Sequence, residues 1–266
     1  MKRMLTGFVL VALLVAAPSA QAQYPYTLDT GREATLLGSG FLLTSVSLRL
    51  ERGLDPLSLT EIMDLDASNV NVLDRGTTGT WNPSAAKTSD LLLAASTLAP
   101  YALLLTDQGS KEPWVIGLMA AETQLLNLGA TLVIKNSVAR TRPYVYDRTD
   151  AVPSDIKHQR DARRSFPSGH TSNAFAPATF LGVVNEKLHP GSSANPWVWA
   201  GAYGVAATTG ILRVAAGKHF PTDVLAGAAL GTFVGWLVPK LHEPDLEGGN
   251  GTEPLNIPIA RVSFSF

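Results

Sequence analysis

RSFPSGHTSNAF (residues 164–175) sets a proline, a serine, a glycine and a histidine in succession ahead of a small, apolar run. Serine is a strong helix N-cap, because its hydroxyl accepts from a first-turn amide. Ser168 is therefore the expected cap, and His170 falls in the first turn of the helix that follows. Gly169 lets the backbone come close to a ligand. A helix start offers free N–H groups and partial positive charge, which suits an anion such as phosphate, with His170 beside it able to give or take a proton. Alone, the stretch is equally explained as plain capping.

Working outward, six stretches rich in Ala, Leu, Gly and Val read as helices, at about 33–51, 87–106, 113–139, 170–188, 197–213 and 222–238. An all-α bundle is expected. Pro113 and Pro221 suit first helical turns, and Pro239 is expected just past the end of the last helix. The polar segment 52–86, with "DRGTTGTWNPS" at 74–84, reads as a long connection holding one short helix near 59–66. In the last helix Gly227, Gly231 and Gly235 recur every four residues, a stripe that permits close helix approach or simply tight packing.

The ends read differently. Residues 1–22 carry a basic start (Lys2, Arg3), an apolar stretch and a small-residue exit at Ala20-Gln21-Ala22, the pattern of a secretory signal peptide; an uncleaved membrane anchor is the alternative. Residues 243–266 begin as a linker, and Val262, Phe264 and Phe266 then alternate with polar residues at strand period, as a short terminal arm would. That ending also resembles the last strand of an outer-membrane barrel. The main domain is expected over residues 23–242. No cysteine occurs, so an exported chain of this kind takes no stability from disulfides.

A net charge of −1 argues against nucleic-acid binding, yet Lys135, Arg140, Arg142, Arg148, Lys157, Arg160, Arg163 and Arg164 crowd one segment. Something anionic is expected near them. Lys135 stands seven residues ahead of Arg142-Pro143; on the last turns of a helix and in the connection after it, the two can turn toward one point. A solvated basic helix end explains that pair as well. A third stretch, LRVAAGKHFPTDVLAG (212–227), sets Arg213 six residues before His219 and Asp223 four after it. Asp223 lies in the first turn of the Pro221 helix, from which a carboxylate can reach back to hold an exposed His219 ring in one tautomer and stabilise its cation. Together the three stretches supply cations for phosphoryl oxygens, a nucleophile and an acid, the set that phosphoryl transfer requires.

At these residues the chain resembles the type 2 phosphatidic acid phosphatase superfamily, which includes class A acid phosphatases and vanadium haloperoxidases. The match rests on Lys135 to Arg142-Pro143, Pro167-Ser168-Gly169-His170, and Arg213 to His219 to Asp223, within roughly residues 113–240. The resemblance implies a helical bundle in which Lys135, Arg142 and Arg213 clamp a phosphate and the backbone at Ser168 and Gly169 adds hydrogen bonds. It implies further that His219 attacks phosphorus, Asp223 orients it and His170 protonates the leaving alkoxide, with neither metal nor cofactor. One position departs: the family's usual serine before the third-motif arginine is Leu212, which donates nothing.

The expected function is an exported phosphatase acting through a phosphohistidine on a phosphomonoester or pyrophosphate, of a lipid above all. A soluble broad-specificity acid phosphatase, a vanadium haloperoxidase and a non-catalytic envelope binding protein are the alternatives. Overall hydropathy is only slightly positive. A cleaved signal would start the chain outside, so spans at 33–51, 87–106 and 113–135 would carry Lys135 into the cytoplasm. A periplasmic or peripheral bundle at a membrane surface is therefore expected, ahead of a multi-span enzyme. Trp197 and Trp199 suit either a membrane interface or a packed edge. His158, His189 and His242 carry no motif, and the oligomeric state is not legible.

Overall fold

A computed structural model describes residues 24–244, so the expected signal peptide and nearly all of the expected terminal arm lie outside the described residues. The described residues are helical throughout, with no strand among them and nine α-helices. Six are long: α1 (Thr30–Arg52), α2 (Pro83–Leu98), α3 (Pro113–Val138), α4 (Gly169–Leu188), α5 (Asn195–Ala215) and α6 (Pro221–Leu241). The other three, Leu59–Met63, Val72–Arg75 and Ser154–Lys157, are single turns or little more, so the six-helix expectation counted only the long elements.

Local chemistry sets the boundaries. Asp29 caps α1, Asn82 caps α2 ahead of Pro83, and Ser168 caps α4. Asn82 and Pro83 start α2 earlier than its apolar pattern indicated, and Pro100 turns the stretch after Leu98 into a 3₁₀ segment, Ala99–Leu105. Pro239 lies inside the last turn of α6, which runs on to Leu241, rather than beyond the helix as expected. Segment 52–86 holds two short α-helices and a 3₁₀ turn, Ala67–Asn69, where one helix was expected.

The long helices alternate in direction. Added Cβ atoms at Gly227, Gly231 and Gly235 would come within 2.5, 2.3 and 2.2 Å of the carbonyl oxygens of Ser168, Ser172 and Ala176, so α6 lies backbone to backbone along α4, running the same way. Gly129 of α3 meets Gly40 and Leu43 of α1 in the same manner. One apolar cluster (Ile116, Met119, Phe180, Val184, Val234, Val238) fills the end where α4 and α6 finish. A second (Leu57, Ile62, Tyr144, Val145, Val152, Ala162) joins segment 52–86 to the α3–α4 connection as a cap over the opposite end.

Candidate active site

The capped end gathers all three motif stretches. α3 delivers Lys135 in its last turns, α4 and α6 begin there with Ser168–His170 and Asp223, and α5 ends there with Arg213. His219 sits in the tight connection between α5 and α6. It is only 1% exposed, not the exposed histidine expected. Gly217 makes that turn at φ +69°, pressed so closely on Thr80 that a Cβ would lie 1.7 Å from its carbonyl oxygen.

The His219 ring is held at both nitrogens. Nδ1 donates to the carbonyl oxygen of Ser165 at 2.6 Å, which leaves the lone pair on Nε2, where Arg142 Nη1 stands at 3.2 Å. Burial, then the positive charges of Arg142, Lys135 and Arg213, hold this imidazole well below the usual histidine range, so it is neutral. Asp223 does not grip the ring directly. Its Oδ2 is 3.8 Å from Nδ1 and accepts instead from Ser165 Oγ at 2.5 Å and the Phe220 N–H at 2.8 Å. Its Oδ1 accepts from Arg140 Nη1 at 2.6 Å. The carboxylate thus acts on His219 through Ser165 and by charge.

The cations divide into two kinds. Lys135 Nζ donates to the carbonyls of Arg164 and Pro167 at 2.8 and 2.7 Å, which leaves one of its three donors free. It lies against the start of α4, where a Cβ on Gly169 would be 3.6 Å from its Cε. Arg142 is anchored by Nε to the Asp161 carbonyl, by Nη2 to Asp161 Oδ1 at 2.8 Å and by Nη1 to the Lys218 carbonyl at 2.7 Å. Four more of the run hold the architecture: Arg148 holds the Met63 and Leu65 carbonyls, Lys157 pairs with Asp147, Arg163 with Glu61 and Arg164 with Glu51.

At the helix start, the Ser168 N–H, expected at the phosphate, donates to the Asp223 carbonyl at 2.9 Å. Its hydroxyl accepts from Thr171 Oγ1 at 2.8 Å. Gly169 and His170 follow in the first turn, where a helix has no internal acceptor to offer their amides.

Several site residues carried no signal in the sequence. Asp90 of α2 accepts from His170 Nε2 at 2.7 Å and lies 3.4 Å from Arg213 Nη1, so one carboxylate oxygen bridges the expected acid and an expected clamp. Burial and the charge of Arg213 nevertheless push His170 down to about 4, with Asp90 pulling the other way. Ser89 Oγ accepts from Arg213 at 3.1 Å, a hydroxyl arriving from α2 beside the arginine that follows Leu212. Lys218 lies over the Trp81 and Tyr144 rings, 4.8 Å from each centroid, and burial pushes it down to about 8. Asp74, from the segment with no assigned role, is fully buried and binds Arg140 Nη2 at 2.7 Å and Thr222 Oγ1 at 2.5 Å, bracing the guanidinium that braces Asp223. None of these has a diagnostic spacing; only the Arg140 charge stood out, and only as part of the run.

Cations, first-turn amides, a buried imidazole and a second histidine thus meet at one end of the bundle. Residues 114–246 match the family model described as the PAP2 superfamily. A lipid A 1-phosphatase of Porphyromonas gingivalis is 46% identical over 76 residues, 29% of this chain and 16% of that protein. A phosphatidylglycerophosphatase B of Bacillus subtilis is 35% identical over 114 residues, 42% of this chain and 50% of that one. The chain thus spans half or less of the length of these curated relatives. The crystal structure of a transmembrane PAP2 type phosphatidylglycerolphosphate phosphatase from Bacillus subtilis aligns over 91% of this chain and 96% of its own, at 20% identity and a TM-score of 0.41. With the family model covering half the sequence around the residues that build this pocket, the chain belongs to the PAP2 superfamily.

Proposed function

We propose that this protein is a membrane-embedded phosphatase that hydrolyses a phosphomonoester or pyrophosphate of a lipid through a phosphohistidine on His219. The observation that carries this reading is the fixed tautomer: Nδ1–H is tied to the Ser165 carbonyl and the Nε2 lone pair faces the cation cluster.

In the proposed reaction the phosphate enters among Arg142, Arg213, the free Lys135 donor and the Gly169 and His170 amides. Arg142 Nη1 turns from Nε2 to a phosphoryl oxygen, uncovering the nucleophile. Nε2 forms the N–P bond as the P–O bond to the alkoxide breaks, and His170 passes a proton to that oxygen from the ring nitrogen Asp90 does not hold. The imidazole, now cationic, is stabilised by Asp223. His170, left neutral, then takes a proton from water as its oxygen attacks phosphorus, and the N–P bond breaks to release phosphate. An entering phosphate dianion also offsets the Arg213 charge that depresses His170, raising its proton affinity when an acid is needed.

Two observations support a lipid. A groove of about 210 Å³, lined by Leu93, Thr97, Gln124, Leu128, Asn173, Ala176 and Pro177, starts one turn beyond Asp90 on α2 and His170 on α4. Apart from the buried Glu122, no Asp, Glu, Lys or Arg occurs in 34–48, 113–134, 171–185, 195–212 or 224–239, within five of the long helices, nor in 91–106, the second half of α2 and the 3₁₀ segment after it. Three stretches, Pro83–Leu105, Pro113–Tyr146 and Pro221–Leu241, are long and apolar enough to cross a membrane. Large apolar side chains such as Phe41, Leu91, Trp197, Ile211 and Phe233 face outward around this belt, which suits lipid better than water. The reading therefore moves from a peripheral bundle to an embedded one.

The test is phosphate release, in detergent and EDTA, from phosphatidate, phosphatidylglycerophosphate, polyprenyl pyrophosphate and a soluble aryl phosphate, with ³²P trapping of the enzyme. His219-dependent turnover of a lipid and an acid-labile label lost in His219→Ala are expected. Preference for the aryl phosphate would replace the lipid reading with a general acid phosphatase, and label persisting in His219→Ala would remove the proposed nucleophile.

A further inference from the structure

At the opposite end of the bundle Glu33 of α1, Glu122 of α3 and His242, just after α6, meet in the interior, with exposures of 1, 0 and 0%. Glu122 and Lys135 are thirteen residues apart on α3, about 20 Å along the helix, so this cluster takes no part in the chemistry at His219. Three features give it the form of a ligand set. His242 Nδ1 is fixed on the Val238 carbonyl at 2.8 Å, which aims Nε2 inward at Glu33 Oε2 (2.9 Å) and Glu122 Oε2 (3.2 Å). The second Glu33 oxygen is already taken by Arg32 Nη2 and the Asp29 N–H, each at 2.8 Å, which leaves Oε2 for the interior. Neither oxygen of Glu122 receives a well-formed hydrogen bond from the protein.

One inward N–H therefore faces two carboxylate oxygens, one from each glutamate, in a site closed to water. A buried carboxylate without partners is costly, and a single shared proton is a poor match for two of them. We propose that Glu33, Glu122 and His242 bind one divalent transition-metal ion, of the zinc or manganese class. All three offer a ligand atom within 4.8 Å of one another. The 2.9 and 3.2 Å contacts lie close to the edge between neighbouring ligands that each stand about 2.1 Å from a common ion, ~3.0 Å in an octahedron and ~3.4 Å in a tetrahedron. A ring nitrogen bound to a metal while the other donates to a backbone carbonyl is the usual arrangement for a ligating histidine. Mixed imidazole and carboxylate donors suit zinc, manganese or iron better than calcium or magnesium. On binding, the Nε2 proton is released to solvent, and two carboxylates neutralise the dication. The ion ties the start of α1, the middle of α3 and the end of α6 together, and the second, unpartnered oxygen of Glu122 completes its coordination.

The experiment uses the full chain in detergent. Metal content is measured by mass spectrometry after dialysis, and chelator-stripped protein is titrated with Zn²⁺ and with Mn²⁺ by calorimetry, alongside Glu122→Gln. One ion per chain is expected in the wild type, with proton release, a rise in melting temperature of about 5 °C on reloading, and binding at least ~100-fold weaker in the variant. Absorption-edge spectroscopy of the loaded wild type, showing one imidazole and carboxylate oxygens, decides the matter if the variant fails to fold. No stoichiometric ion, equal affinity in Glu122→Gln, or a spectrum without imidazole would each overturn the proposal.

Discussion

Asp223→Asn separates two ways in which a carboxylate can serve a nucleophilic histidine. Where the carboxylate itself holds the N–H, removing its charge also releases the tautomer, and the rate falls by about 10⁴-fold. Here the tautomer is held by the Ser165 carbonyl at 2.6 Å, and Asp223 stands 3.8 Å from Nδ1. What Asn removes is mainly attraction for the cationic imidazole: about 4 kcal/mol at 3.8 Å with an effective dielectric constant of 20. Arg140, 2.6 Å from the other carboxylate oxygen, offsets part of it, roughly half. About 2 kcal/mol remains, or a ~30-fold fall in the rate of phosphohistidine formation. Rapid-quench measurement of that step, with substrate affinity read separately, is the assay. A fall near 10⁴-fold would show that the carboxylate rather than Ser165 holds the ring. A fall under about 3-fold would show that the charge does not act on His219 at all.

Asp90→Asn removes the anion that pulls His170 upward, so the descending alkaline limb of kcat should move to lower pH with the ascending limb unchanged; an unmoved alkaline limb would take Asp90 out of the acid's environment. Gly231→Val drives a side chain onto the Ser172 carbonyl and should destabilise by about 1–3 kcal/mol, read as a fall in melting temperature of several degrees; an unchanged value would contradict the close α4–α6 contact. The chain has no cysteine, so Asp155→Cys on the capped end and Ser193→Cys in the α4–α5 connection give single labelling sites. An impermeant thiol reagent should reach them from opposite faces of an intact membrane, and labelling of both from one side would exclude a six-span arrangement. Tyr24 packs with Leu188 and Val238 at the end opposite His219, so a described chain that starts outside puts His219 inside.

Much of the site was legible because helix geometry turns short spacings into direction. A proline or a capping serine fixes where a helix starts, and a residue in its first or last turn then has a known end of the bundle. That logic placed Lys135, His170, Arg213 and Asp223 correctly at one end. It failed where a contact depends on how distant elements meet. Asp74 and Asp90 belong to helices whose starts can be read, but their partners Arg140 and His170 are 66 and 80 positions away. Asp223 was placed in the right turn beside His219, but the Ser165 carbonyl that takes the Nδ1 proton belongs to a loop whose path only the α3–α4 connection determines. His242 had no motif, and two of its contacts come from helices that begin more than a hundred residues earlier.

The glycine seam between α4 and α6 has a consequence for how this pocket can diversify. The proposed acid His170 rides on one helix of the seam, and Asp223, proposed to steer His219, rides on the other. With backbone against backbone, almost any side chain added to Gly227, Gly231 or Gly235 would displace both at once. The spacing of His170 and Asp223 is thus tied to three positions that tolerate little drift. New substrates are met more freely from off the seam, where Leu93 and Thr97 of α2 and Gln124 and Leu128 of α3 line the groove; an engineer wishing to alter selectivity without retuning the chemistry would begin there.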